Sequence, residues 1–360
     1  MLKSMISASL MLAAGLSQAA EFQVKEVAKD LNRPWGMSFI NGYEALITEK
    51  GGTVKRLDLR TGRQSDVSGL PDDIYVYGQG GLLDVNLHKN GYAYFTYSKR
   101  SEQAEMHGRT ALARAKLDGN RLLGWEDLLV TESDTDTGRH YGSRVVFDGN
   151  GAVYFGVGDR AKRQPAQDNS NHIGTVLRVD LQGKALAGNP FYGDKNIKPE
   201  IYSFGHRNPQ GLAFDADGQL WEIEHGPRGG DEINKIEFGK NYGWPVVSFG
   251  KEYREDKMVG EATHKDGMLD AAKVFVPSIA PSSLMIYSGK VFPEWRGDFF
   301  AGALAQTHVN RLRLGEDGSL HEQERLLDDA GERIRDVKEG PEGFIYLLTD
   351  SGKVLQISPK

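Results

Sequence analysis

Apolar and polar residues alternate in short bursts along this chain, and the bursts recur. Val145-Val146-Phe147, then Asp148-Gly149-Asn150-Gly151, then Val153-Tyr154-Phe155 reads as two apolar strands around a tight turn. Asp215-Ala216-Asp217-Gly218 and Gly340-Pro341-Glu342-Gly343 are turns of the same kind. Each pair is followed by another strand pattern, such as Thr53 to Leu57, Val176 to Val179 or Val354 to Ile357. Degenerate copies of this unit start at Trp35, Gly80, Gly142, Gln210, Ser282 and Ile334. A unit recurring at roughly 45 to 75 residues belongs to a propeller or solenoid. The pattern predicts an all-β, six-bladed β-propeller with four-stranded antiparallel blades, a β-sandwich being the alternative. The alternating segment Glu21 to Val27 precedes the first unit and would close the ring as the outer strand of the last blade.

Residues 1–19 break the pattern. Lys3, the apolar run Ile6 to Leu16 and the small-x-small site Ser17-Gln18-Ala19 read as a signal peptide cut after Ala19. That run is shorter than a membrane span, and nothing later approaches the ~20 apolar residues a span needs. The expectation is a single catalytic propeller over 20–360, exported to a periplasm, with no membrane span. With Cys 0, stability must come from packing and metal rather than disulfides. Gly 44 agrees with many tight turns, and a formal charge of −6 implies no nucleic-acid surface.

In a propeller the loops entering the innermost strands meet at one mouth of the channel. Those loops carry Gln79 and Gly80, Arg139 and His140, Arg207 and Asn208, and Arg333 and Arg335. Arg333 and Arg335 flank Ile334, which puts both guanidiniums on one face of an extended strand. With Arg207 they make a cationic pocket suited to carboxylates or phosphates, unless Asp336, Asp159 or Glu332 pairs with them. His140 is the base candidate, held neutral by neighbouring positive charge. The glycine-rich loop Glu224 to Glu232 lacks the EF-hand pattern, but carbonyls at Gly226 and Pro227 with the carboxylates of Asp231 or Glu232 could hold calcium.

The segments GQGGLLDV, GRHYGSRVVF, YFGVGDR, GHRNPQGLAFD, EHGPRGGDEIN, GKNYGWP and RIRDV, in this order, resemble the soluble aldose sugar dehydrogenases that depend on pyrroloquinoline quinone (PQQ), relatives of soluble quinoprotein glucose dehydrogenase. The resemblance implies oxidation of an aldose at its anomeric hydroxyl to the lactone, with hydride passing to the quinone C5 and His140 as general base. It implies cofactor contacts from Gln79, His140, Arg207, Asn208, Arg333 and Arg335. Gly226 and Pro227 would give carbonyls to the cofactor's calcium, and Glu232 and Tyr242 would hold a structural one, with Asp231 a weaker candidate. Asp159 and Gln164 fall where the family has further polar residues. One departure stands out: some members have a lysine reaching the quinone where this chain has Ala305. The sugar preferred, the electron acceptor and the choice between monomer and homodimer are not legible. Two other readings remain at this point, a calcium propeller hydrolysing lactones or esters, which needs a central cage of carboxylates and Asn, and a sugar-binding propeller without a base.

Overall fold

The computed structural model of the protein describes residues 20–360, so the leader expected over 1–19 lies outside the described residues. Six four-stranded antiparallel sheets follow one another along the chain. Their innermost strands are Pro34–Asn41, Leu82–Leu87, Val145–Phe147, Pro209–Phe214, Pro281–Ile286 and Ile334–Glu339. The strand Phe22–Ala28 pairs antiparallel with the C-terminal strand Val354–Pro359 and becomes the outer strand of the sixth blade. The six-bladed propeller is therefore the fold, closed as the sequence predicts.

Each blade is apolar on both faces because it packs between two others. Leu46, Val54 and Val67 of the first blade interlock with Leu82, Val85, Phe95 and Ala113 of the second. Trp221, Ile223 and Ile233 of the fourth meet Phe299, Ala301 and Leu312 of the fifth. Met285, Tyr287 and Phe300 of the fifth do the same with Val337, Ile345 and Leu347 of the sixth. The hydrophobic core is thus spread among the interfaces between blades.

The central channel is joined by one buried cation. Arg144 enters it just before the third inner strand, and its guanidinium pairs with Asp84 at 2.9 Å and Asp336 at 3.2 Å. It also donates to the carbonyls of Gln210 (3.1 Å) and Ser282 (2.9 Å) and lies 4.3 Å from the Trp35 ring centroid. Asp336 in turn accepts the Met37 N–H at 3.0 Å. All six blades thereby share one hydrogen-bonded hub. A calcium cage at this centre would need free carboxylates, and the two present are committed to Arg144.

Candidate active site

Antiparallel pairing brings two sets of loops to the same mouth: those entering each first strand, and those leaving each second strand. The entry loops deliver Gln79, Tyr141, Asn208, Arg333 and Arg335 to a cavity of about 420 Å³. The exits deliver Lys50, His225, Leu304 and Asp350 to the same cavity. Arg33, Trp35 and Gln210 complete much of the wall. Sequence reasoning counted only the entry loops, and so missed Lys50, His225 and Asp350.

His140 and Arg207 do not themselves line this cavity; His140 precedes the lining residue Tyr141, with a backbone φ of +52°, and its N–H donates to the Oε1 of the lining residue Gln79 at 2.7 Å. Its Nδ1 lies 2.6 Å from the Asp159 Oδ1, and the carboxylate is almost fully buried. Asp159 also accepts the Trp244 indole N–H at 2.7 Å and the Ala161 N–H at 2.7 Å. Burial alone would raise the Asp159 carboxyl, yet the bond from His140 and the charge of Arg207 hold it below its usual value. An ionised Asp159 only accepts, so Nδ1 carries the proton and Nε2 is left as the basic atom. Burial, followed by the charges of Arg207 and Arg160, lowers the His140 pKa despite Asp159. Half-buried His225, which lines the cavity, is pushed down to about 3, first by desolvation and then by Arg207.

Arg207 and Asn208 form a turn pinned from below. Glu224 accepts both their backbone N–H groups, and Arg207 donates to the His225 carbonyl at 2.9 Å while its guanidinium lies 5.2 Å from the Trp244 ring centroid. Arg333 and Arg335 do share a face, but their partner is none of those weighed from sequence: each Nε lies 2.9 Å from an oxygen of Asp350. The distant partner was invisible because Asp350 leaves a different strand. Arg139 is exposed, as is Gln164 at the start of a short 3-10 helix, and neither lines the cavity.

The glycine-rich loop folds beside a second, very small cavity lined by Arg207, Glu224, Gly226, Glu232 and Tyr242. Burial and the charge of Glu224 raise the Glu232 carboxyl well above its ordinary value, against a smaller pull downward from the Asn234 amide. Tyr242 offers this space only its backbone carbonyl, because its hydroxyl donates to the Lys235 carbonyl at 2.6 Å and accepts the Glu237 N–H at 2.8 Å. The Pro227 carbonyl accepts the Lys251 N–H at 2.8 Å. Asp231 is engaged elsewhere, since its oxygens accept from Gly226, Ser278, Ile279 and Ala280, locking the loop to the strand entering the fifth blade. Four donors leave that carboxylate little capacity for a cation. The long segment after Lys251 is tied to the loop that follows Asp159 by a bidentate pair between Arg163 and Glu252, at 2.7 and 2.8 Å.

Among known proteins, the aldose sugar dehydrogenase of Escherichia coli (strain K12) is 36% identical over 346 residues, covering 93% of this chain and 92% of that one. Quinoprotein glucose dehydrogenase B of Acinetobacter calcoaceticus is 26% identical over 424 residues, covering 94% and 88%. The crystal structure of the soluble aldose sugar dehydrogenase from Escherichia coli, in its apo-form, superposes with a TM-score of 0.89 at 34% identity, covering 94% of this chain and 100% of that one. Fold, mouth and relatives together define a propeller oxidoreductase acting on sugars. The family described as Glucose / Sorbosone dehydrogenase matches residues 31–356, and this chain belongs to it.

Proposed function

We propose that the protein oxidises the anomeric C1 hydroxyl of aldoses to the lactone, using PQQ and calcium. The observation that carries this reading is the buried Asp159–His140 pair, which leaves Nε2 as a neutral base on a residue held by Gln79 and followed by Tyr141, both lining the cationic cavity. The cavity fits the cofactor's chemistry, since PQQ is a flat tricarboxylate. Arg33, Lys50, Arg333 and Arg335 line the wall with Asp350 as the single acid, and Trp35 and Tyr141 offer aromatic surface. When bound, PQQ would supply a carbonyl-containing ring that accepts a hydride, and with it two electrons.

The protein's share is placement and proton transfer. His140 Nε2 takes the proton from the sugar hydroxyl, and Asp159 holds the ring in the required tautomer and stabilises the imidazolium. Lys50 provides the cation that Ala305 does not: Ala305 is exposed at the rim, while Lys50 is partly desolvated against Arg33 and Arg335. Gln79 orients the His140 loop through its side-chain oxygen.

Calcium fits the small cavity. Glu232 supplies a carboxylate whose charge needs compensation, and the Tyr242 carbonyl accepts no hydrogen bond among the described residues, so hard oxygen ligands are available there. Gly226 and Pro227 would serve the ion at the cofactor, and Glu232 and Tyr242 the structural one. Among the described residues no helix is long and apolar enough to cross a membrane. With the leader read from residues 1–19, the proposed location is the periplasm, with electrons leaving to an acceptor that the chain does not identify.

The test is His140→Ala. PQQ binding, followed by calorimetry with calcium present, should persist, while sugar-dependent turnover disappears. Turnover surviving in this variant would remove His140 from the chemistry.

A further inference from the structure

A second cluster lies buried between the third and fourth blades, behind the cofactor cavity. In the fourth blade Glu222 and Glu224 share one face of the strand Leu220–Glu224, and Asn234 pairs across from Glu222. His206 approaches from the loop before the fourth inner strand. Its Nδ1 lies 3.3 Å from the Glu224 Oε1 and 3.9 Å from the Glu222 Oε2. All three side chains are buried, with His206 and Glu222 fully so.

The protein's own hydrogen bonds do not neutralise this group. Asn234 donates to Glu222 at 3.1 Å and Glu224 at 3.3 Å, and His206 Nε2 is taken by Ser203 Oγ at 2.8 Å. Yet Glu222 Oε1 and Asn234 Oδ1, both wholly buried, have no partner among the described residues. A buried carboxylate oxygen and a buried amide oxygen without donors are costly, and each is a good metal ligand. A half-turn of the Asn234 amide would bring its oxygen to where its nitrogen now meets both glutamates.

We infer that His206, Glu222 and Glu224, with Asn234 as fourth ligand, form a site for a first-row divalent metal such as Mn²⁺ or Zn²⁺. One imidazole nitrogen among oxygens suits such an ion better than calcium, which prefers oxygen alone. The separations agree as well: bonds of about 2.0–2.2 Å at near-tetrahedral angles put ligand atoms roughly 3.3–3.6 Å apart. The site adjoins the cavity at Glu232, since Glu224 lines both, and the His206 imidazole is what tells the two apart. Its effect on the cofactor pocket is indirect, because Glu224 uses its other oxygen to hold the Arg207 and Asn208 backbone. The metal positions that turn and touches no reacting atom.

The test uses the mature chain, stripped with a chelator and dialysed against calcium. Mn²⁺ binding followed by electron paramagnetic resonance should show a site in the wild type that Glu232→Gln retains and Glu222→Gln weakens by roughly tenfold or more. Zinc-edge X-ray absorption of wild-type protein with one equivalent of Zn²⁺ should show one imidazole in the shell, a readout that needs no variant to fold. Equal Mn²⁺ binding by wild type and Glu222→Gln, or a zinc shell without imidazole, would overturn the assignment.

Discussion

Nδ1 of His140 and Oδ1 of Asp159 stand 2.6 Å apart across two loops of the third blade, and the other oxygen of Asp159 is held by the Trp244 indole. This fixes the imidazole tautomer from behind. In Asp159→Asn the amide can donate to Nδ1, moving the proton to Nε2 and removing the base. The expected loss in kcat is roughly ten-thousandfold, with KM for the sugar changed little, measured by steady-state kinetics on cofactor-loaded protein. A loss confined to KM would contradict the tautomer role.

The pH profile follows from the same pair. The base works neutral, so activity falls as pH drops through the His140 pKa. Burial and Arg207 lower that pKa from 6.5, which places the acid limb of kcat/KM below 6.5. Arg207→Gln removes a positive neighbour and should move the limb upward. A limb moving down, or not at all, in that variant would assign it to another group.

Lys50 is one cation facing the cavity whose role can be separated from the base. Lys50→Ala should weaken PQQ binding by roughly ten- to a hundredfold, the range of a lost charge-assisted hydrogen bond. Calorimetric titration reads this without turnover. The substitution Ala305→Lys in that background should restore part of the affinity, and unchanged binding in Lys50→Ala would show that the arginines suffice.

Arg144 is expected to matter for stability rather than chemistry. Truncation to Ala leaves Asp84 and Asp336 buried without their cation, a change that costs about 3–5 kcal/mol in comparable buried pairs. A large drop in the thermal midpoint of Arg144→Ala is the expected result. A midpoint like that of the wild type would mean the blades are held by their apolar interfaces alone.

The propeller was legible because its information is local. Each hairpin carries its own alternation and its own turn, as at Asp148-Gly149-Asn150-Gly151, and even the closing strand at Phe22–Ala28 shows its period. The placing of Gln79, Arg333 and Arg335 at the cavity was legible for a similar reason, since they stand just before or at the start of a recognisable inner strand, whereas His140 lies beside the lining. What sequence reasoning missed is what antiparallel pairing adds. Lys50, His225 and Asp350 follow second strands, and only the register of each hairpin shows that those ends return to the same mouth. Trp244 and Arg144 lie within stretches that drew attention for other residues, and their partners sit 85 residues away for Trp244 with Asp159 and 60 for Arg144 with Asp84.

The measurement closest to the central claim is reduction of an artificial electron-acceptor dye by purified, cofactor-free protein across a panel of aldoses, with PQQ and calcium added singly and together. The account predicts turnover only when both are present, with lactone as product. Turnover without PQQ, or no turnover and no PQQ binding with calcium supplied, would contradict it.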